Sequence, residues 1–165
     1  MKKKTVTLIM VLVMLLTCVG CGDSGEGESG ASLEMAATLE EMKKTDTQMP
    51  KTLTVTNTDE NAEATFAVLT DFDYAKVDSF TYCYSDEGTP EEIAIVLVKE
   101  KSSVGDLMKA LQAHIDSRKA TFEAYDPAQA AVVENAVLTF QDRYVLMAIG
   151  STAGAMQDIF KNAVK

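Results

Sequence analysis

The chain reads as an α+β domain in which an antiparallel sheet of about four strands carries helices packed on one face. Three stretches predict it. Residues 77–85 alternate Phe80, Tyr82 and Tyr84 with Thr81, Cys83 and Ser85, the pattern of a strand with one buried side. Ile93, Ala94, Ile95, Val96, Leu97 and Val98 form an unbroken apolar run of strand length. Val104, Leu107, Leu111, Ile115 and Phe122 recur at helical spacing along one stripe. Two adjacent strand pairs flanked by amphipathic helices make one-face packing the economical arrangement.

From the start, Lys2, Lys3 and Lys4 precede an apolar stretch from Val6 to Leu16, a charged n-region before an h-region, so residues 1–20 read as an export signal. The stretch is too short to span a bilayer, which needs roughly 20 apolar residues. Val19 and Gly20 stand directly before Cys21, the small-residue setting that lipoprotein signal peptidase requires, so cleavage is expected between Gly20 and Cys21 with lipid attached to Cys21. The weaker acceptor, Cys18, would place the branched Thr17 at the cut, and an ordinary secretory signal with incidental cysteines is the bland alternative. Residues 21–31 are the lipidated cysteine and a Gly, Ser and acid tether with nothing to bury. Its nine residues 22–30 span roughly 15–20 Å as a flexible coil.

Residues 32–165 are expected to form one domain. Leu33, Met35, Ala36, Leu39 and Met42 predict a helix over 32–44, with acids early and Lys43 and Lys44 late. Residues 45–64 read as mainly irregular around Pro50, with Leu53 and Val55 able to alternate in a short strand; residues 65–74 carry no clear assignment. After the strand at 77–85, residues 86–90 make a turn and the apolar run makes the next strand. Ser103, with Asp106 three residues on, resembles a capping box for the long helix. Asp126 as N-cap and Pro127 at the first position restart a helix to about Asn135. Residues 136–140 and 144–149 read as a hairpin, and Ser151 caps a last helix that turns Met156, Ile159, Phe160 and Ala163 inward.

Lys and Arg number 15 against 25 Asp and Glu, and loss of the leader makes the net charge of −10 more negative by three. Such a chain is repelled by phosphate backbones and anionic headgroups, so no nucleic-acid partner is expected and attachment to the membrane must be through covalent lipid. Two acyl chains hold a protein stably where one is marginal. With Cys18 removed and Cys21 lipidated, Cys83 is the one remaining cysteine, which excludes an internal disulfide and fits an inert strand residue. His114 is the one histidine, beside the apolar stripe, so no zinc set is expected and partial burial at the helix edge is the favoured reading. No metal and no cofactor is expected. Carboxylate pairs such as Asp71 with Asp73, Asp59 with Glu63 and Glu91 with Glu92 are what an acidic composition supplies. Gly22-Asp23-Ser24-Gly25 resembles a serine-protease nucleophile motif but sits in the tether without a scaffolded histidine. No nucleotide-binding, nucleophile-elbow or zinc-protease motif is present, so no catalytic residue is expected and the chain is read as not an enzyme.

Residues 91–95 (Glu-Glu-Ile-Ala-Ile), 119–127 (Lys-Ala-Thr-Phe-Glu-Ala-Tyr-Asp-Pro), 133–137 (Val-Glu-Asn-Ala-Val) and 144–146 (Tyr-Val-Leu), in that order and spacing, resemble the clostridial-type bacterial lipoproteins grouped as domain of unknown function 4358. The resemblance covers about 71–164. Members often carry Gly where Asp142 stands before the hairpin. The resemblance implies a fold and a lipid-anchored address, and no established activity.

Function is therefore expected to be that of a non-enzymatic lipoprotein on the outer face of a Gram-positive-type cell membrane, binding another envelope protein near the bilayer. The alternative is a module that captures a sugar, peptide or ion for a transporter. An apolar pocket of several hundred cubic ångströms would favour ligand capture, and a flat exposed apolar patch a protein partner. Tyr125, Asp126, Glu134 and Asn135, crowded at the helix restart, are the candidate surface site, with caps and turn formers as the competing reading. Oligomeric state is left open.

Overall fold

The computed structural model describes residues 32–165; the leader, the cleavage site at Gly20 and Cys21, and the tether lie outside the described residues. In chain order the elements are α1 (Met35–Lys43), β1 (Thr52–Thr56), α2 (Ala62–Leu69), β2 (Val77–Ser85), β3 (Glu92–Val98), α3 (Val104–Tyr125), α4 (Pro127–Glu134), β4 (Val137–Gln141), β5 (Tyr144–Ile149) and α5 (Ala153–Ala163). The fold is α+β, with one antiparallel sheet in the order β1-β2-β3-β5-β4. The fifth strand is β1, where Leu53 and Val55 pair with Tyr84 and Tyr82. No described helix is long and apolar enough to cross a membrane.

Helices cover both faces of this sheet, which corrects the one-face packing expected from the strand pairs. Phe80, Ala94, Val96, Val98, Val145 and Met147 point to the side of α2, α3 and α4, where Phe66, Leu69, Leu107, Leu111, Phe122 and Val133 close over them. Cys83, Ile93, Ile95, Leu97, Leu146 and Ala148 point the other way, under Leu39 and Met42 of α1 and Met156 and Phe160 of α5. The unbroken run in β3 carries the reason, because a strand buried on both sides has no polar face. On β2 the side bearing Thr81 and Cys83 is buried too, so the apparent polar face is an interior of small side chains.

Two helix starts differ from the expected capping. A 3-10 turn, Lys101–Ser103, precedes α3 and holds Ser103 in helical conformation, so its hydroxyl caps nothing. Ser151 lies outside α5, and its hydroxyl donates to Asp46 Oδ2 at 2.7 Å instead. Asp126 does cap α4, with Oδ1 accepting from the Ala128 amide at 3.1 Å and Pro127 in the first turn. The β4–β5 turn keeps a left-handed residue, with Asp142 at φ 53°. Asp is among the few non-glycine residues that tolerate this region.

The two ends of the sheet are built differently. At one, Val98 bonds Arg143 at the β4–β5 turn, Gln141 Nε2 donates to the Val164 carbonyl at 3.1 Å, and Ser32 and Lys165 exchange backbone hydrogen bonds. At the other lie the first residue of β3, Glu92, and its partner Ile149 at the end of β5.

Candidate functional site

Glu92 opens β3 on the α3 side of the sheet and is only 3% exposed. Its partners come from two other elements. Tyr82 on β2 pairs with Ala94, two residues along the same face, and its hydroxyl donates to Glu92 Oε2 at 2.9 Å. His114 and Arg118, one turn apart on α3, continue the Leu107 and Leu111 stripe over the same carboxylate. His114 Nε2 lies 2.6 Å from Oε2, and Arg118 Nε lies 2.7 Å from Oε1 in an ion-pair contact. Arg118 Nη2 also donates to the Thr89 carbonyl at 3.1 Å, and its guanidinium stacks 4.9 Å from the Phe122 ring centre. The β2–β3 loop is thus fastened to the helix through the same side chain.

Oε2 meets Tyr82 and His114, and Oε1 faces the Arg118 charge at 2.7 Å, which is how a buried carboxylate is tolerated, although Arg118 Nε itself makes no hydrogen bond. Burial, and then the negative charge of Glu92, push the Tyr82 phenol far above its ordinary range, so it stays a hydrogen-bond donor at any physiological pH. His114 has no hydrogen bond to a nucleophile among the described residues. No group of three or more His, Cys, Asp or Glu side chains is placed to hold a metal ion among the described residues. Chemically the arrangement ties α3 and the β2–β3 loop to the sheet through one buried carboxylate.

The four residues singled out at the helix restart gather at the α3–α4 corner rather than around Glu92. Asp126 is the cap already described. Glu134 takes an ion pair from Lys119 at 2.9 Å across the helix hairpin, and Asn135 Nδ2 donates to the Ala131 carbonyl at 3.0 Å. Tyr125 is the large apolar side chain among them and is 82% exposed, beside exposed Glu134 and Asn135. The free thiol of Cys83 is fully buried in β2.

Glu92 and Arg118 were not singled out from sequence. In the sequence Glu92 is one acid among many, although it shares parity with Ala94 and Val96 on a buried strand. Arg118 sits four residues beyond His114 on the apolar side of α3, a placement that signals a buried counter-charge. Open grooves among the described residues include one of ≈ 620 Å³ between α1 and α5, bordered by Glu34, Glu41 and Lys165, and one of ≈ 380 Å³ bordered by Asp71, Asp73, Lys76, Asp106 and Lys109. The exposed large apolar residues are Leu53, Val68, Tyr125 and Phe140.

A family model described as Domain of unknown function (DUF4358) matches residues 51–150. The chain belongs to this family. No curated protein and no solved structure matches the chain. The DUF4358 segment holds all five strands, α2 to α4, and the whole Glu92 network. It begins upstream of the resemblance noted over 71–164, taking in β1 and α2, and leaves α1 and α5 outside.

Proposed function

We propose that this DUF4358 chain is a non-enzymatic, clostridial-type lipoprotein, anchored through lipid on Cys21 at the outer face of the cell membrane, that acts by binding another envelope protein. The observation that carries the non-catalytic part is that Glu92, the buried acid of the described residues, faces only internal partners, Tyr82, His114 and Arg118. The lipobox around Cys21 supports the anchor. The pairing of Ser32 with Lys165 supports an orientation in which the tether leaves one end of the sheet while Glu92 and its loop occupy the other. Exposed Tyr125, which ends the helix carrying Arg118, is then the side chain we assign to partner contact.

The experiment is photo-crosslinking in intact cells from a reactive amino acid at Tyr125, with Val68 as the control position. A reproducible protein adduct from Tyr125 alone, together with release or accumulation of uncut precursor on Cys21→Ala, is the expected result. An unmodified mature N-terminus by mass spectrometry overturns the anchor. Absence of a position-specific adduct, with saturable binding of a sugar, peptide or ion by the purified protein, replaces the reading with ligand capture, for which the groove between α1 and α5 is the place to look.

A further inference from the structure

The two edges of the sheet are not equally guarded. On β1 the outward amide of Thr56 is taken by Asp59 Oδ2 at 2.7 Å, and the Lys51–Asp86 ion pair flanks the strand at its other end. Charges placed along an edge are the usual device against strand addition. On β4, Val137-Leu138-Thr139-Phe140-Gln141, there is no charge and no proline.

The register fixes which groups of β4 face outward. Gln141 and Tyr144 close a two-residue turn, and the Val98 amide donates to the Arg143 carbonyl, so Arg143, Val145 and Met147 turn their backbones to β3. Tyr144, Leu146 and Ala148 therefore bond Gln141, Thr139 and Val137. Leu138 and Phe140 are left with amide and carbonyl pointing away from the sheet, unpaired among the described residues. Phe140 is also 52% exposed.

We infer that β4 pairs antiparallel with β4 of a second copy of this chain, joining two sheets into one. The strand is self-complementary about Thr139. With the two-fold axis there, Leu138 of each copy meets Phe140 of the other as a hydrogen-bonded pair, which makes four main-chain bonds and covers the exposed ring with leucine. Thr139 then faces its symmetry mate as a non-bonded pair, the closer of the two spacings at ~4.5 Å between Cα atoms. The occupant is a second copy because the two outward-facing residues of β4, Leu138 and Phe140, pair with each other in both halves of the seam and the strand carries no charge, whereas on β1 the outward Thr56 amide is already taken by Asp59. Each copy is acidic overall, so the dimer weakens as salt is removed and long-range repulsion is no longer screened.

The test is oxidative cross-linking of the full-length protein carrying Thr139→Cys, with Thr54→Cys on β1 and the unsubstituted chain as controls, beside sedimentation of the unsubstituted protein. Expected are a dimer in sedimentation, a covalent dimer from Thr139→Cys well above both controls, and about a tenfold loss of that product when Phe140→Lys is added. Phe140 faces outward, so Phe140→Pro, which removes the outward amide and spares the inner ladder, gives the same loss without loading the edge with charge. A monomer in sedimentation, a dimer without the Thr139 cross-link, or equal cross-linking from Thr54→Cys overturns the inference. Repeating the cross-link with Cys21→Ala separates it from the anchor, because the strand pairing needs no lipid.

Discussion

The sheet face under α2, α3 and α4 buries the Glu92 carboxylate with its tyrosine, histidine and arginine among aromatic rings, whereas the face under α1 and α5 is closed by Leu39, Met42, Met156 and Phe160 over Ile93, Ile95 and Leu146. Phe66, Tyr74 and Phe80 stack in tilted and edge-on pairs on the first face, with ring centres 5.2 to 6.1 Å apart. Each face leaves a buried polar atom without a hydrogen-bond partner, Arg118 Nε on the first and the Thr81 hydroxyl on the second. Apolar packing supplies most of the energy and accepts many arrangements, while a buried network accepts few. The difference teaches that on the Glu92 face position is specified by direction as well as by volume.

The largest effect belongs to the apolar face. Phe160→Ala is expected to cost about 3–5 kcal/mol, because the ring is fully buried in the core between the sheet, α1 and α5. Chemical denaturation measures it, and a cost below that of a network variant would break the comparison.

Next comes the network itself. Glu92→Gln should cost about 3 kcal/mol, the lower end for breaking a buried pair, since the Arg118 side chain is 28% exposed and can turn toward water. Tyr82→Phe removes one hydrogen bond to a charged group and should cost about 1.5 kcal/mol at neutral pH. Its pH dependence has a definite sign. The folded phenol titrates above the unfolded one, near pH 10, so the contribution of Tyr82 is complete below pH 10 and declines as pH rises beyond it. Stability of the wild type should therefore fall more steeply above pH 10 than that of Tyr82→Phe, as urea midpoints across that range will register.

The smallest effect lies at the turn. Asp142→Gly relieves a left-handed backbone while removing the exposed ion pair to Lys101 at 3.1 Å, the hydrogen bond that holds the Asp142 carboxyl below its usual range. The two changes oppose each other, and the thermal midpoint should stay close to that of the wild type.

Much of this arrangement was legible in the residues. The apolar run of β3, the long stripe of α3, the Asp126-Pro127 restart and the hairpin at Asp142 each carry a local signal, and each stands where it was expected. What failed was non-local. Cys83 and Thr81 look polar enough to face water until α1 and α5 are placed over them, and β1, rich in threonine, is a strand only because β2 lies beside it. Ser103 and Ser151 have the chemistry of caps, yet a 3-10 turn and Asp46 claim those positions. The same holds for the site: Glu92, His114 and Arg118 are separated by a turn, a strand and half a helix, and no local pattern joins an acid at a strand start to two bases on a helix. Only their positions on buried faces hint at it.

The central claim is that the Glu92 network is an internal fastener for α3 and the β2–β3 loop. Amide hydrogen exchange of the Glu92→Gln protein tests it most directly, under conditions where the variant remains folded. Faster exchange confined to residues 86–91 and the middle of α3, with α1 and α5 unchanged, is the predicted result. Unchanged exchange around the loop, or acceleration spread evenly over both faces of the sheet, would contradict it.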